Sequence, residues 1–174
     1  MFWADCVKTV TSIHANNMIC VRIHGVQSPM SSARFSFAAC LHEDKIYVFG
    51  GQDARNVWCG CECFDINQQV WSPIAFHFAP GHTMTCAVVP APLHTGVGAY
   101  RIALLSISPG HTTLTYYDPP TDSWTFAATE TLMVRQATPV LYWTRYGLIL
   151  CGGDAQFNIV DPITGKWTTL LPIS

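Results

Sequence analysis

Charged side chains are scarce in this sequence. Asp, Glu, Lys and Arg make up 11% of the 174 residues, against roughly 25% in a typical soluble domain. The formal net charge is only −2, which disfavours a nucleic acid or an anionic membrane as partner. So few charges solvate a surface poorly. We therefore expect that protein partners, or further parts of a longer polypeptide, cover much of it.

Long apolar runs are also absent. No stretch reaches the roughly 18 apolar residues of a membrane helix. The nearest candidate, 84–108, is interrupted by Pro90, Pro92, Gly96, Gly98 and Arg101. The first residues, MFWADCVKTV, lack the basic start and apolar run of a secretory signal. We expect an intracellular, cytoplasmic protein whose eight cysteines are reduced thiols, because disulfide frameworks belong mainly to secreted proteins.

A spacing of six residues between Asp and Trp occurs three times. The segments are FDINQQVW, YDPPTDSW and VDPITGKW. They contain the pairs Asp65 and Trp71, Asp118 and Trp124, and Asp161 and Trp167. Asp followed by Asn, Pro, Thr or Gly favours a turn, because its side chain can bond its own backbone. The pattern predicts a repeated hairpin turn with a Trp at the start of the following strand, buried in an equivalent position each time.

Short apolar strands precede each Asp–Trp pair. KIYVFGG ends in Gly50 and Gly51, and GLILCGG ends in Gly152 and Gly153, whereas RIALLSI has lost its glycines. A strand rich in small residues stands one step further upstream in each unit, opened by Arg34, His82 or Arg135. Each unit thus has four short strands, and the Trp spacings are 53 and 43 residues. Four strands repeated every 40 to 50 residues are typical of propeller blades.

These motifs resemble the kelch repeat. Gly-Gly, an aromatic–Asp pair, Trp six residues later and an Arg on the first strand are its features, and GGQDARNVWCGCECFDINQQVW is the best copy. The resemblance covers residues 29–174. It implies an all-β, kelch-type β-propeller segment of four-stranded antiparallel blades, incomplete at about three and a half blades. The expected parts are a degenerate outer hairpin (1–28), a blade (29–76), a blade without Gly-Gly (77–130) and a blade (131–174).

The N-terminal hairpin is predicted around Asn16-Asn17. In the register of the repeat, His14 would replace the Asp and Cys20 the Trp. An open arc of blades exposes strand edges and an apolar flank, which invites further polypeptide or self-association.

Cysteines and histidines offer the chemistry-bearing patterns. Cys59, Cys61 and Cys63 alternate in CGCEC, so a strand would place the three sulfurs on one face. We interpret them as small buried residues, with a metal or redox site as the alternative. PGHT occurs twice and carries His82 and His111. We interpret both as turns, with a ligand or metal site as the alternative.

Loops are the expected contact surface. Candidate partner contacts are Gln52, Asp53, Arg55 and Asn56 after the first Gly-Gly, His82, His111, and His94 in the long insertion 90–100. Arg34 and Arg135 are expected to bond backbone carbonyls, although Arg can also grip acidic peptides bidentately.

No motif of a hydrolase, a nucleotide-binding site or a zinc protease is present. We therefore predict a non-enzymatic protein-interaction scaffold or structural subunit, without cofactor or metal. The alternatives are the substrate-recognition propeller of a ubiquitin-ligase adaptor and a propeller enzyme with an axial site.

Overall fold

The computed structural model describes residues 12–15, 19–22, 29–76, 83–91, 99–130, 140–151, 157–161 and 166–170. Every regular element among them is a β-strand. None of the described segments forms an apolar helix of membrane-crossing length. The predicted all-β fold is confirmed.

The chain divides into two compact units, 1–80 and 81–174. The first contains a hairpin of β1 (Ser12–Ala15) and β2 (Ile19–Arg22). It also contains a four-stranded antiparallel sheet, the first blade, of β3 (Ala38–His42), β4 (Lys45–Phe49), β5 (Cys61–Asp65) and β6 (Val70–Ile74).

The second unit contains two more four-stranded antiparallel sheets. The second blade is formed by β7 (Thr83–Pro90), β8 (Tyr100–Ser108), β9 (His111–Asp118) and β10 (Ser123–Glu130). The third is formed by β11 (Val140–Thr144), β12 (Gly147–Cys151), β13 (Phe157–Val160) and β14 (Trp167–Leu170). In all three sheets the strands lie in chain order, as in propeller blades.

The Asp–Trp spacing is a consequence of hairpin register. Asp65 pairs with Val70, so four residues form the loop and Trp71 lies opposite Phe64. Trp124 lies opposite Tyr117 and Trp167 opposite Val160 in the same way. The Asx turn is present, because the backbone amides of Asn67 and Gln68 donate to Asp65 Oδ1 at 2.9 Å.

In the first blade, Gly-Gly follows a strand that ends early. In the first blade β4 ends at Phe49, and Gly50 and Gly51 follow with φ of 61° and 88°. A Cβ on Gly51 would lie 2.7 Å from the carbonyl oxygen of Phe35, so the position requires glycine. In the second blade β8 runs on to Ser108 and closes on β9 through Pro109-Gly110. The strand therefore continues through the positions of the missing glycines.

Each of the two units has its own cluster of buried apolar side chains. In the first unit, Met30, Ile46, Val48 and Phe64 form a buried cluster against which Trp71 packs. In the second unit, the inner residues of the second blade pack against Leu141, Leu148, Leu150 and Val160 of the third. A buried hydrogen bond of 3.2 Å from the Leu141 amide to Thr85 Oγ1 fixes β11 on β7. The three marker tryptophans are half-buried rather than fully buried as expected.

The N-terminal hairpin departs from the blade register. His14 pairs with Cys20, whereas the marker Asp of a blade pairs with the residue before the Trp. The expected equivalence of His14 and Cys20 to Asp and Trp is therefore wrong. The loop between Ala15 and Ile19 has three residues, one fewer than the four-residue loop of the blade, so the pairing is offset.

Candidate functional site

The loop 50–60, between β4 and β5, is held in place by several backbone hydrogen bonds. Gln52 forms isolated bridges with Phe35 on one side and with Trp58 on the other. The amide of Gln52 donates to the Phe35 carbonyl at 3.0 Å, and that of Phe35 to the Gln52 carbonyl at 2.9 Å. The Cys59 amide donates to the Gly51 carbonyl at 2.9 Å. These bonds tie the loop to the body of the blade.

Asp53 organises the tip of the loop. Its Oδ1 accepts the backbone amides of Arg55 at 2.8 Å and Val57 at 2.9 Å. Its Oδ2 accepts the guanidinium of Arg55 at 3.2 Å. The amide of Val57 foremost, and then that of Arg55, hold the pKa of the Asp53 carboxyl below its usual value. The carboxylate therefore fixes a tip that would otherwise have unsatisfied amides.

The tip points four consecutive side chains outward. Ala54, Arg55, Asn56 and Val57 are all exposed. Arg55 has 84% of its side chain exposed and Val57 is 55% exposed. Asn56 has a φ of 59°, which Asn tolerates better than most residues. The result is a preformed surface with a cation, an amide and an apolar side chain side by side.

Arg34 clamps the base of this loop. Its Nη1 donates to the carbonyl of Gly50 at 3.0 Å and also to the carbonyl of Gly60, which are the two ends of the loop. Its Nη2 forms an ion pair with Glu62 on β5. Both side chains are almost completely buried, with exposed fractions of 1% and 7%. The structure thus places Arg34 as a structural residue that bonds backbone carbonyls.

Glu62 completes the clamp and was missed by the sequence interpretation. Its two carboxylate oxygens accept the backbone amide of Ser31 at 3.0 Å and the Ser31 hydroxyl at 2.8 Å. The carboxylate therefore joins the segment before Arg34 to β5. The signal in the sequence is a charged residue between Cys61 and Cys63, which were interpreted as buried, whereas nothing in the sequence indicates its pairing with Arg34, 28 residues away.

The cysteines of CGCEC do not share one strand face. β5 begins at Cys61, so Cys59 lies in the loop and only Cys61 and Cys63 occupy alternate strand positions. All three are thiols. Burial raises the pKa of the Cys63 thiol to about 11, and Tyr47 lies opposite it on β4. No three His, Cys, Asp or Glu side chains of the described residues could jointly hold a metal ion.

The other candidate residues are spread over the fold. His111 opens β9 and is exposed beside the Pro109-Gly110 turn. His82, His94, Arg135, Gly152 and Gly153 lie outside the described residues. Of the predicted contact residues that the structure describes, Gln52, Asp53, Arg55 and Asn56 lie together, and His111 lies on another blade.

A second feature lies at the turn end of the third blade. A groove of about 440 Å³ opens there. Its lining includes Arg145 and Tyr146 of the β11–β12 turn, Asp161 and Lys166 of the β13–β14 hairpin, and Gly147 and Ile159 of the sheet. Tyr146 is 68% exposed and lies under the Arg145 guanidinium, 4.7 Å from ring centroid to Cζ.

Comparison with known proteins agrees with this geometry. Residues 33–75 match the Kelch motif family. No curated protein matches the chain in sequence. Among solved structures the chain is similar to the structure of YjhT, with 14% identity and a TM-score of 0.59. The similarity covers 92% of this chain and 57% of the YjhT chain, so the chain spans little more than half the length of that protein.

The motif match coincides with the first blade, from the residue before Arg34 to the end of β6. The likeness to YjhT concerns the fold alone, and it also includes the sheets of the second unit. These two findings show a kelch motif over the first blade and a shared fold over most of the chain.

Proposed function

We propose that this chain is a non-enzymatic scaffold that binds a partner protein through the loop 50–60. Kelch propellers generally mediate protein interactions. A loop on a rigid sheet is the usual position of a binding residue in such folds. The observation that carries the proposal is that the loop is fixed at both ends while its tip stays exposed.

Preorganisation is what makes the loop suited to binding. Arg34 bonds the carbonyls at both ends of the loop, and Asp53 bonds two amides at its tip. A loop that is already ordered loses little conformational entropy when a partner docks. The exposed tip offers Arg55 for a polar contact and Val57 for an apolar one, a mixture that is common at the rim and centre of interfaces.

The charged groups described at the loop 50–60 and at its base are engaged in holding the loop. No three potential metal ligands of the described residues lie together, and the Asp53 carboxylate is engaged by its own loop. The buried charges, Arg34 and Glu62, bond each other and the backbone. The role of Arg34 and Glu62 is therefore to stabilise the loop.

Site-specific crosslinking tests the proposal. A photo-crosslinking amino acid is placed at Val57 in one protein and at Val70 in a second. The two valines are similarly exposed, at 55% and 49%, but Val70 lies on the outer strand β6. In the native cells we expect a discrete adduct with one partner polypeptide from position 57 and none from position 70. In addition, Asp53→Ala is expected to reduce the adduct at position 57.

Equal adducts from both positions would contradict the assignment of the site to the loop. No adduct from position 57 in a folded protein would contradict the binding role of the tip. A partner that is lost on Val57→Asp but kept on Val70→Asp would support both.

A further inference from the structure

The loop 50–60 contains a small antiparallel ribbon with an open outer edge. Gln52 lies in the middle of the ribbon, with Phe35 on one side and Trp58 on the other. The amide and the carbonyl of Gln52 are both bonded to Phe35, at 3.0 and 2.9 Å. Because the amide and the carbonyl of one residue in an antiparallel strand point to the same side, neither of these groups points to Trp58.

Trp58 is joined to the ribbon by the residues on either side of it. The carbonyl of Val57 accepts the amide of Asp53 at 2.9 Å, and the amide of Cys59 donates across the ribbon at 2.9 Å. Two bonds that flank a pair in this way are typical of a non-hydrogen-bonded pair, in which the main-chain groups of each residue point outward. The amide and the carbonyl of Trp58 therefore lie on the outer edge of the ribbon.

Nothing among the described residues occupies this edge. No described group bonds the main-chain amide or carbonyl of Trp58. Val57 is 55% exposed, and Gly60 is exposed as well. A Cβ added to Gly60 would have no atom within 4 Å, so there is space along the edge. Unpaired main-chain groups with space beside them form a template for another strand.

The side chains at the edge favour an apolar strand. A residue paired with Trp58 has its side chain on the same side of the ribbon as the half-buried indole, where aromatic and β-branched residues pack best. Val57 points to the opposite side, because side chains alternate along a strand. The Arg55 guanidinium and the Asp53 carboxylate bond each other at 3.2 Å, so the tip 53–57 has no net charge to attract a charged segment.

We propose that the partner protein binds the loop 50–60 by β-strand addition, through an extended segment that pairs with the outer edge at Trp58. The incoming residue donates its amide to the Trp58 carbonyl and accepts the Trp58 amide, and its side chain is aromatic or β-branched. Main-chain hydrogen bonds supply the affinity of this form of recognition, and alternate side chains supply its specificity. The inference rests on the proposed function, because it identifies the kind of partner segment that the same loop binds.

Two variants of Trp58 test the role of its amide. Trp58→Ala removes the indole and keeps the amide, whereas Trp58→Pro removes both. Because the amide has no partner among the described residues, we expect the Tm values of the two variants to agree within about 2 °C. With the photo-crosslinker at position 57, we expect about tenfold less adduct in Trp58→Pro than in Trp58→Ala. Equal adducts from the two variants would overturn the proposal.

A second measurement leaves the natural chain unchanged. Mass spectrometry of the adduct from position 57 identifies the crosslinked segment of the partner, and a synthetic peptide that spans this segment is the probe. Single N-methyl groups are placed on successive residues of the peptide, and the affinity of each peptide is measured by calorimetry. Because alternate amides of an extended strand point to the same neighbour, we expect the affinity to fall about tenfold at every second residue of the paired segment.

Hydrogen exchange provides the matched control within the chain. We expect the unmethylated peptide to slow the exchange of the Trp58 amide about tenfold, because the amide gains an acceptor. The Gln52 amide, which is already bonded to Phe35, should exchange at the same rate with and without the peptide. An unchanged rate for Trp58, or losses of affinity without a period of two, would overturn strand addition and leave the loop as the binding site.

The adduct from position 57 separates the remaining outcomes. An adduct that joins two copies of this chain would assign the edge to self-pairing and overturn the proposal. No adduct from position 57 in the otherwise natural chain would contradict the proposed function, and this inference with it. An adduct with a partner that is kept in Trp58→Pro would contradict only the inference.

Discussion

Trp71 lies directly across the β5–β6 hairpin from Phe64, with ring centroids 5.0 Å apart and planes at 42°. Tyr117 and Trp124 repeat the arrangement on the second blade, at 5.1 Å and 45°. Tilted aromatic pairs at this distance add about 0.5–1.5 kcal/mol beyond the area they bury. The loop of four residues determines which face of the sheet the Trp occupies. The contact between the two rings therefore depends on the length of the loop.

Deletion of Gln68 should therefore be more damaging than removal of the Trp side chain. One residue fewer in the loop turns Trp71 to the opposite face of the sheet, along with every residue after it on β6. We expect the deletion to lower the free energy of unfolding by more than Trp71→Ala does, in urea titrations followed by circular dichroism. Gln68→Ala keeps the loop length and should change it by less than about 0.5 kcal/mol. A deletion no worse than Trp71→Ala would contradict the register argument.

Gly51 should be the least replaceable of the described glycines of the first blade. It has a φ of 88°, and an added Cβ would meet the Phe35 carbonyl at 2.7 Å and Phe37 Cβ at 3.0 Å. The left-handed conformation alone costs an alanine about 1–2 kcal/mol, and the contacts add to this. Gly60 has no atom within 4 Å of the same position, so Gly60→Ala is the matched control. Thermal unfolding of the two variants tests this prediction. We expect a lower Tm for Gly51→Ala than for Gly60→Ala, and similar Tm values would refute it.

Much of the fold could be predicted from the sequence because its repeat is set by local chemistry. The Asp turns, the Trp positions and the four strands per unit follow from side-chain periodicity and turn residues. The lack of Gly-Gly in the second blade could not be explained from the sequence. The structure explains it, because β8 and β9 are longer and continue to a Pro109-Gly110 turn.

The candidate site was less accessible to sequence reasoning. Gln52, Asp53, Arg55 and Asn56 were predicted as loop residues, and they lie together. The partnership of Arg34 with Glu62 spans 28 residues, and no periodicity reports a contact of that kind. Cys59 was expected on a strand, but Gly60 and the short β5 leave it in the loop.

Cys63 should react slowly with alkylating agents at neutral and mildly alkaline pH. Burial raises its pKa to about 11 from an ordinary value of 9.0, so the reactive thiolate is scarce below pH 10. The raised pKa also makes folding pH-dependent. The folded protein binds more protons than the unfolded chain between pH 9 and 11, so the unfolding free energy falls as pH rises through that window.

Mass spectrometry after timed alkylation checks this order of reactivity. We expect Cys59, which is half-buried in the loop, to be modified well before Cys63, which is 9% exposed. A control with Cys63→Ala should flatten part of the stability loss between pH 9 and 11. Rapid labelling of Cys63 at pH 7 in the folded protein would contradict the burial of its thiol.

Arg34 should govern both the stability of the first blade and the order of the loop. Arg34→Met removes the cation from a buried pair and leaves Glu62 with Ser31 alone, which should cost about 3–5 kcal/mol. The double variant R34M/E62L removes both charges and should recover part of that loss, because no charge is then left buried without its partner.

Neither variant retains the bonds to the carbonyls of Gly50 and Gly60. Hydrogen exchange of the amides of Gln52, Asp53 and Cys59 should therefore be faster in both than in the natural chain. A double variant with recovered stability and an unprotected loop separates the two roles of Arg34, whereas full protection of these amides in R34M/E62L would show that the loop is held without the clamp.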